Sequence, residues 1–278
     1  MTQMSGLGVA MRLEIQESLR ARWFFLYAAV FFGLMLLLAL TGISESRVLG
    51  FTGLSRLLVT YIQITMAVLP LFILVTTARS LVGDREAGNL EYMLAFPVKL
   101  SHWYWGKFLG RLLLMILPVA AALIFAIGYG LMRGHDVPWF QVSLYAGLII
   151  ALAACFLGLG FLLSSLSRST EVSLGTSLVI WLLLVALLDL LLLSMLIRTQ
   201  VDPAFVVGIA LANPLQTFRT ASMILFDQQL ILLGPASYII LDHFGVLGYV
   251  AWALTYPTLL GVVAAIAGYW RFTRSDLV

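Results

Sequence analysis

The chain has 278 residues, of which 62% are hydrophobic and 10% are charged, and its formal net charge is +3. Soluble domains average about 45–50% apolar and about 25% charged residues, so this composition excludes an ordinary soluble protein and indicates repeated membrane crossing. The small basic excess does not indicate nucleic-acid binding, because the distribution of Lys and Arg around a membrane explains it.

Residues 1–22 are predicted to form a separate helix before a membrane domain of residues 23–278. Apolar residues recur along this helix at helical spacing, at Leu7, Met11, Ile15 and Leu19. Polar residues are expected on its water-facing side, namely Arg12, Glu14, Gln16, Glu17 and Arg20. This pattern is typical of an amphipathic elbow helix at the membrane surface, either as a plain anchor or in contact with a cytoplasmic partner.

Six apolar runs are long enough to cross the hydrocarbon core, which needs about 20 helical residues. They cover residues 23–43, 57–82, 108–132, 142–166, 172–196 and 249–269. The sequence therefore predicts an all-α polytopic membrane protein with six transmembrane helices. Cys155, the single cysteine, lies in the fourth run and is expected to be a small buried apolar residue.

The distribution of Lys and Arg predicts the orientation, because cytoplasmic loops are enriched in both. With the amino terminus inside, eleven of the sixteen basic residues fall on the inner side. These are Arg12, Arg20, Arg22, Arg79, Arg85, Lys99, Lys107, Arg111, Arg168, Arg271 and Arg274. Both termini are therefore expected in the cytoplasm.

Residues 83–106 form a polar interruption between the second and third runs. Asp84 is a favourable N-cap residue, and Leu90, Met93 and Leu94 form an apolar strip at helical spacing. Pro97 is expected to end the helix. The sequence predicts a short amphipathic cytoplasmic helix that either sinks into lipid or docks on another protein, and docking is favoured.

Residues 197–248 are predicted to lie on the outer face. Asn213 as N-cap, with Pro214 at the first helical position, predicts a helix that continues to about Phe226. A second short apolar stretch covers residues 230–241. This region is expected either to contact an extracytoplasmic partner or to cap the bundle.

Asp189 lies inside the fifth apolar run, where an ionisable group costs about 2.5–3.5 kcal/mol on insertion scales. It is expected either to line a path or subunit seam or to remain a neutral, hydrogen-bonded acid.

The sequence contains no His-Glu-x-x-His zinc motif, no nucleophile elbow and no phosphate-binding Gly-x-x-x-x-Gly-Lys-Ser/Thr loop. No catalytic residue, metal site or bound cofactor is therefore predicted for this chain. A six-span protein with a cytoplasmic docking element and no energy source of its own is most simply the membrane part of a multi-subunit transporter.

The segment Asp84-Arg85-Glu86-x-Gly88-x-Leu90-Glu91-x-x-Leu94-x-x-Pro97-Val98, followed by Gly106-Lys107, resembles the signature of ABC-2 type permeases. The resemblance implies a type V exporter-like fold in which a coupling helix after the second span sits on a separate ATPase. The coupling role would fall on Asp84, Arg85, Glu86, Gly88, Leu90, Glu91 and Pro97.

The same resemblance implies an assembly in the bacterial inner membrane of two permease copies and two ATPase subunits. ATP and Mg²⁺ would be bound by the ATPase subunits, and membrane lipid would surround the two permeases.

Within this family, the stretch Ala-Asn-Pro-Leu-Gln-Thr-Phe-Arg at residues 212–219 resembles the permeases of Nos systems, which mature the copper sites of periplasmic nitrous oxide reductase. This implies a periplasmic β-helical subunit and a copper chaperone as partners, contacted through Asn213, Pro214 and Gln216. Two alternatives stay open: an exporter of lipid, glycan, haem or drug, and a mechanotransmitter that relays ATPase motion without cargo.

Overall fold

The computed structural model of the protein describes residues 6–40, 53–89, 99–134, 136–187, 203–226 and 235–274. The regular structure in these residues is helical. In chain order the α-helices are α1 (Gly6–Arg20), α2 (Arg22–Leu40), α3 (Gly53–Ala78), α4 (Val82–Glu86), α5 (Leu100–Met132), α6 (Trp139–Leu166), α7 (Thr170–Leu182), α8 (Pro203–Ala212), α9 (Pro214–Phe226) and α10 (Pro235–Arg274). α7 continues into a π-helical segment, Leu183–Leu187.

Four helical stretches are long and apolar enough to cross a membrane: α3 with α4, α5, α6, and α10 from Phe244 onward. α1 and α2 together make a fifth candidate, although the two helices meet at 69°. α7 with its π-helical segment is apolar but shorter, and the predicted run 172–196 continues beyond the described residues. The prediction of an all-α, multi-pass protein is confirmed, and the count of six spans stays a prediction.

α1 is a separate helix, as the sequence predicts, but its buried side differs from the expected one. Ala10, Glu14 and Ser18 are buried, whereas Leu19 is exposed. The expectation that Glu14 faces water is wrong. The reason is a close contact with α5, whose Gly106 and Gly110 let the backbone of α1 approach closely enough to enclose the small residues and the carboxylate.

α6 packs on α10 through glycines that bring the two backbones into contact. A methyl group added at Gly158 would overlap the backbone of Gly261, and one added at Gly261 would overlap the carbonyl group of Ala154. One turn further along, the Tyr104 hydroxyl of α5 donates to the Ala265 carbonyl at 2.8 Å. Small residues at such a contact are expected in a membrane, where helices associate through close packing and not through exclusion of water.

The segment predicted on the outer face contains α8, α9 and the beginning of α10. The predicted start at Asn213 and Pro214 and the predicted end at Phe226 are confirmed. α8 is not among the predicted helices. Residues 235–241 of the predicted short stretch at 230–241 form the first part of α10, a helix that is broken where Gly245 adopts a φ of 63°, and residues 230–234 lie outside the described residues. A positive φ favours glycine, so this residue permits the break.

Candidate functional site

Four ionisable side chains form a buried charge cluster between α1, α4 and α5. Arg111 donates from Nε to Oε1 of Glu14 at 2.7 Å, and its Nη2 lies 2.6 Å from the same oxygen. Lys107 pairs with Asp84 and lies 3.8 Å from Oε2 of Glu14. The charge cluster, Glu14, Asp84, Lys107 and Arg111, contains two anions and two cations. This balance offsets the cost of burying the Glu14 side chain, which is only 4% exposed.

The pattern Gly106-x-x-x-Gly110 explains how the charge cluster forms. Glycines four residues apart lie on one side of a helix, so α1 can sit against both. A methyl group added at Gly106 would lie 2.6 Å from the Ala10 Cβ, which shows how close the approach is. Lys107 and Arg111 directly follow the two glycines, which places both cations beside Glu14.

The charge cluster also holds α3. Nη1 of Arg111 donates to the Thr76 carbonyl at 3.0 Å, near the end of α3. The ammonium group of Lys107 lies 5.0 Å from the centre of the Trp103 ring, a cation–π contact within α5. α1, α3, α4 and α5 are thus joined by one set of polar contacts.

A serine from another helix forms hydrogen bonds with the backbone at the start of α4. Oγ of Ser164, on α6, accepts from the backbone N–H groups of Leu81 and Val82 at 3.0 and 3.2 Å, and its hydroxyl donates to the Ala78 carbonyl at 2.9 Å. The predicted N-cap role of Asp84 is therefore wrong: Ser164 already satisfies the first amides, and Asp84 lies in the first turn, where it joins the charge cluster.

α4 ends at a turn that requires glycine. The N–H of Gly88 donates to the Arg85 carbonyl at 3.1 Å, and Gly88 adopts a φ of 68°. Only glycine adopts this conformation without strain, so the helix breaks here and resumes at Asn89. The single short helix predicted from Asp84 onward is interrupted at Gly88.

Glu86 links the exposed end of α4 to the beginning of α7. Its carboxylate accepts from the Thr170 N–H at 3.1 Å and from the Thr170 hydroxyl at 2.5 Å. The hydroxyl bond and then the backbone bond lower the pKa of the Glu86 carboxyl from its ordinary 4.5. The link is therefore fully present above that value and is lost only as the pH falls through the lowered pKa.

Asn213 joins three helices at the other end of α7. Its Nδ2 donates to the carbonyl of Leu184 in the π-helical segment at 2.9 Å, and its Oδ1 accepts from the Leu215 N–H at 3.0 Å. These two partners fix which way the side-chain amide of Asn213 points: the Leu184 carbonyl needs a donor and so faces Nδ2, and the Leu215 N–H needs an acceptor and so faces Oδ1. Asn213 is only 1% exposed, so its side chain forms its hydrogen bonds within this chain.

α10 holds the same turn from the opposite side. The Tyr256 hydroxyl donates to the Ala212 carbonyl at 2.5 Å, and Nε1 of Trp252 donates to the Leu211 carbonyl at 3.5 Å. The two rings stack with centroids 5.0 Å apart. The last carbonyls of α8, which have no partner within the helix, are satisfied in this way.

The predicted site residues fall into three groups. Asp84, Arg85, Glu86 and Gly88 lie together on α4 and the turn that follows it. Asn213 and Pro214 are buried and Gln216 is half-buried at the start of α9. The predictions for Leu90, Glu91, Pro97 and Asp189 lie outside the described residues.

Several site residues have no counterpart among the sequence predictions. Glu14, Lys107, Arg111, Ser164 and Thr170 were not recognisable as a group because they come from four separate parts of the chain. One signal did exist: each glycine of the pair on α5 is followed by a cation. Among the described residues, no three His, Cys, Asp or Glu side chains are grouped closely enough to hold a metal ion.

Comparison with known proteins identifies the class. The family described as ABC-2 family transporter protein matches residues 9–277. A relative from Pseudomonas aeruginosa, named probable ABC transporter permease protein NosY, is 28% identical over 228 residues, covering 78% of this chain and 81% of the relative. A relative of the same name from Stutzerimonas stutzeri is 27% identical over 225 residues, covering 78% and 80%.

Proposed function

The chain belongs to the ABC-2 transporter family, and from this premise we propose that residues 83–106 receive the movement of a separate ATPase subunit and pass it to the membrane helices. An ABC-2 permease works with an ABC ATPase, and ATP hydrolysis belongs to that partner. The observation that carries the proposal is the position of α4, which is bonded to three membrane helices at once.

Each bond of α4 leads to a different helix. Asp84 pairs with Lys107 on α5, the backbone at Leu81 and Val82 bonds to α6, and Glu86 bonds to α7. A force on α4 therefore acts on α5, α6 and α7 together. Glu86, Ala87 and Asn89 are exposed, so this end of α4 is accessible to a partner.

The proposed assembly contains two copies of this chain and two ATPase subunits in the bacterial inner membrane, with both termini in the cytoplasm. The coupling roles of Arg85, Leu90, Glu91 and Pro97 belong to this proposal, as does an outer contact at residues 213–216. In that contact Gln216 would meet the partner, because Asn213 and Pro214 are buried. Asp189 would face the seam between the two copies or a polar path.

The two relatives named NosY support a more specific role. We propose that the complex serves the assembly of the copper sites of nitrous oxide reductase, together with a periplasmic β-helical subunit and a copper chaperone. A competing export role, for lipid, glycan, haem or drug, predicts an ATPase without those periplasmic partners. Purification from mild detergent separates the two, because the partners that remain bound differ.

A relay that moves no cargo is a second candidate function. The polar contacts at both ends of α7 favour it, since they link the Glu86 end to the Asn213 end without requiring a passage through the protein. Measurement of ATP-dependent copper uptake or release by sealed vesicles that contain the complex distinguishes a transporter from a relay.

Glu86→Lys tests the coupling role. The substitution replaces the acceptor of both Thr170 bonds with a cation next to the first amides of α7, where positive charge is unfavourable. We expect normal membrane insertion and ATPase binding, but loss of the copper centre of nitrous oxide reductase in cells. Glu17→Lys, at an exposed position of α1, is the matched control. A normal copper centre in the Glu86→Lys strain would contradict the assignment.

A further inference from the structure

α7 and its π-helical segment, residues 170–187, overlap the predicted fifth span and are named the fifth-span helix; other helices bond to it at Thr170 and at Leu184. Its buried side chains are Ser173 and Ser177, whereas Val179 and Leu182 are exposed at 63% and 51%. In lipid, apolar side chains on the outside provide no force that would fix a helix against its neighbours. The hydrogen bonds at Thr170 and Leu184 are therefore specific restraints on its position, in addition to the packing of its buried side.

At one end the restraint is Thr170, whose N–H and hydroxyl both donate to Glu86. This is separate from the helix's own cap, in which Oγ of Ser169 accepts from the Val172 N–H at 3.3 Å. The Glu86 bond therefore adds a connection to α4 that the helix does not need for its own capping.

Further along the helix the second restraint is Asn213, whose amide donates to the Leu184 carbonyl. That carbonyl lies in a π-helical segment, a rare geometry that often marks functional positions. The same side chain caps α9 through the Leu215 N–H. One residue therefore connects the fifth-span helix to the start of α9.

The distance between the two restraints is long enough for movement to pass from one side of the membrane towards the other. Thr170 and Leu184 are separated by fourteen residues, or about 21 Å of helix at 1.5 Å per residue. This is a large part of the ~30 Å hydrocarbon core. A continuous helix between the two bonds gives movement of α4 a direct route to α9.

We propose that Thr170 and Asn213 are positioning residues for coupling, which fasten the fifth-span helix at Thr170 and at Leu184 so that α4 and α9 move together. The proposal rests on the proposed function, in which an ATPase moves α4. It adds two residues and a defined route, and it requires the two links to act in series.

The test uses the complete complex with its ATPase subunit in lipid nanodiscs. Spin labels are placed at Asp136→Cys, in the exposed loop between α5 and α6, and at Gly208→Cys on α8, where a side chain meets nothing within 4 Å. Cys155 is buried and stays in place. Distances between the labels are measured with and without a non-hydrolysable ATP analogue, and ATP hydrolysis is measured on the same samples.

We expect the nucleotide to shift the distance between the labels in the otherwise unchanged protein. Thr170→Val removes the hydroxyl bond to Glu86, and Asn213→Ser keeps a capping oxygen but is too short to reach Leu184. Each interrupts the route by itself, so each should lower the shifted population by at least about fivefold while ATP hydrolysis continues. Thr170→Ser should restore the shift.

Two matched controls separate coupling from general damage. Ser169→Ala removes the helix's own cap, and Thr217→Val removes buried hydroxyl bonds at the turn held by Asn213 without touching the fifth-span helix. Both should keep the nucleotide-dependent shift. The double variant Thr170→Val with Asn213→Ser should be no worse than either single variant, because links in series fail together, whereas independent defects add.

An unchanged shift in both single variants overturns the inference and leaves the proposed function standing. Additive losses in the double variant overturn the series arrangement and with it the proposal. If the labelled protein binds no ATPase subunit, or shows no shift with nucleotide, the proposed function fails and the inference falls with it. Should Asn213→Ser not fold, Thr170→Val and its Thr170→Ser rescue decide the outcome alone.

Discussion

At the scale of single residues, the arrangement of Glu14 illustrates how a membrane protein keeps charge inside. A buried carboxylate without a partner would be strongly unfavourable, and here two nitrogens of Arg111 and the ammonium group of Lys107 surround it. The hydroxyl of Ser18 lies 3.4 Å from the same carboxylate. Removing any one member of the charge cluster leaves the others with unbalanced charge.

Glu14→Gln should therefore destabilise the protein strongly. The substitution leaves Lys107 and Arg111 buried with a single anion, and breaking one side of a buried pair typically costs about 3–5 kcal/mol. The change in unfolding free energy is measured by unfolding the protein in detergent and monitoring the helical circular dichroism signal. Glu17→Gln, on the exposed side of the same helix, is the control and should stay within about 0.5 kcal/mol of the unchanged protein. Equal stability of the two variants would show that the charge cluster contributes little.

At the scale of helices, close backbone approach organises two contacts, α1 on α5 and α6 on α10. Both depend on glycines at positions where a methyl group would overlap neighbouring atoms, Gly106 and Gly110 in the first and Gly158 and Gly261 in the second. Packing of this kind is specific, because only one relative position of the two helices fits. It fixes the positions of α1 on α5 and of α6 on α10.

Gly158→Ala should separate α6 from α10. The added methyl group overlaps the backbone of Gly261, which cannot move aside as a flexible side chain could, so we expect a loss of about 1–3 kcal/mol in unfolding free energy. Gly128→Ala, at a glycine of α5 where nothing lies within 4 Å, is the control. It should be neutral or stabilising by up to about 1 kcal/mol, because alanine favours helix. A smaller loss at Gly158 than at Gly128 would contradict the close contact.

At the scale of the whole molecule, α4 and the turn at Asn213 bond to the fifth-span helix at two separate positions, Thr170 and Leu184. If α4 faces the cytoplasm, the loop between α5 and α6 faces the other side, since α5 crosses the membrane between them. The proposed orientation therefore assigns each exposed loop to a definite compartment.

Single cysteines test that orientation. Asn89→Cys and Asp136→Cys introduce thiols at exposed positions, and the native Cys155 is buried and should not react. In intact spheroplasts a membrane-impermeant maleimide should label Asp136→Cys, whereas Asn89→Cys should be labelled only after the membrane is opened. The reverse pattern would place the coupling segment on the outer side and contradict the proposed function.

The sequence predicted those parts of the fold that depend on local patterns. Long apolar runs predicted the membrane helices, and Asn213 followed by Pro214 predicted the start of α9. It did not predict contacts between distant segments. Glu14 was expected in water because a helical wheel cannot show that Gly106 and Gly110 bring α5 against its polar side. Asp84 was expected as a cap because its residue type suits that position. The sequence could not show that the hydroxyl of Ser164, far along the chain, accepts from the first amides instead.

The position of Glu14 also has a consequence for biogenesis. Its partner Arg111 is synthesised 97 residues later, on a helix that must first enter the bilayer. Until then the carboxylate has no cation beside it, so α1 cannot settle into its final place before the ribosome has produced α5. Docking of the amino-terminal helix is thus a late step that follows insertion of α5.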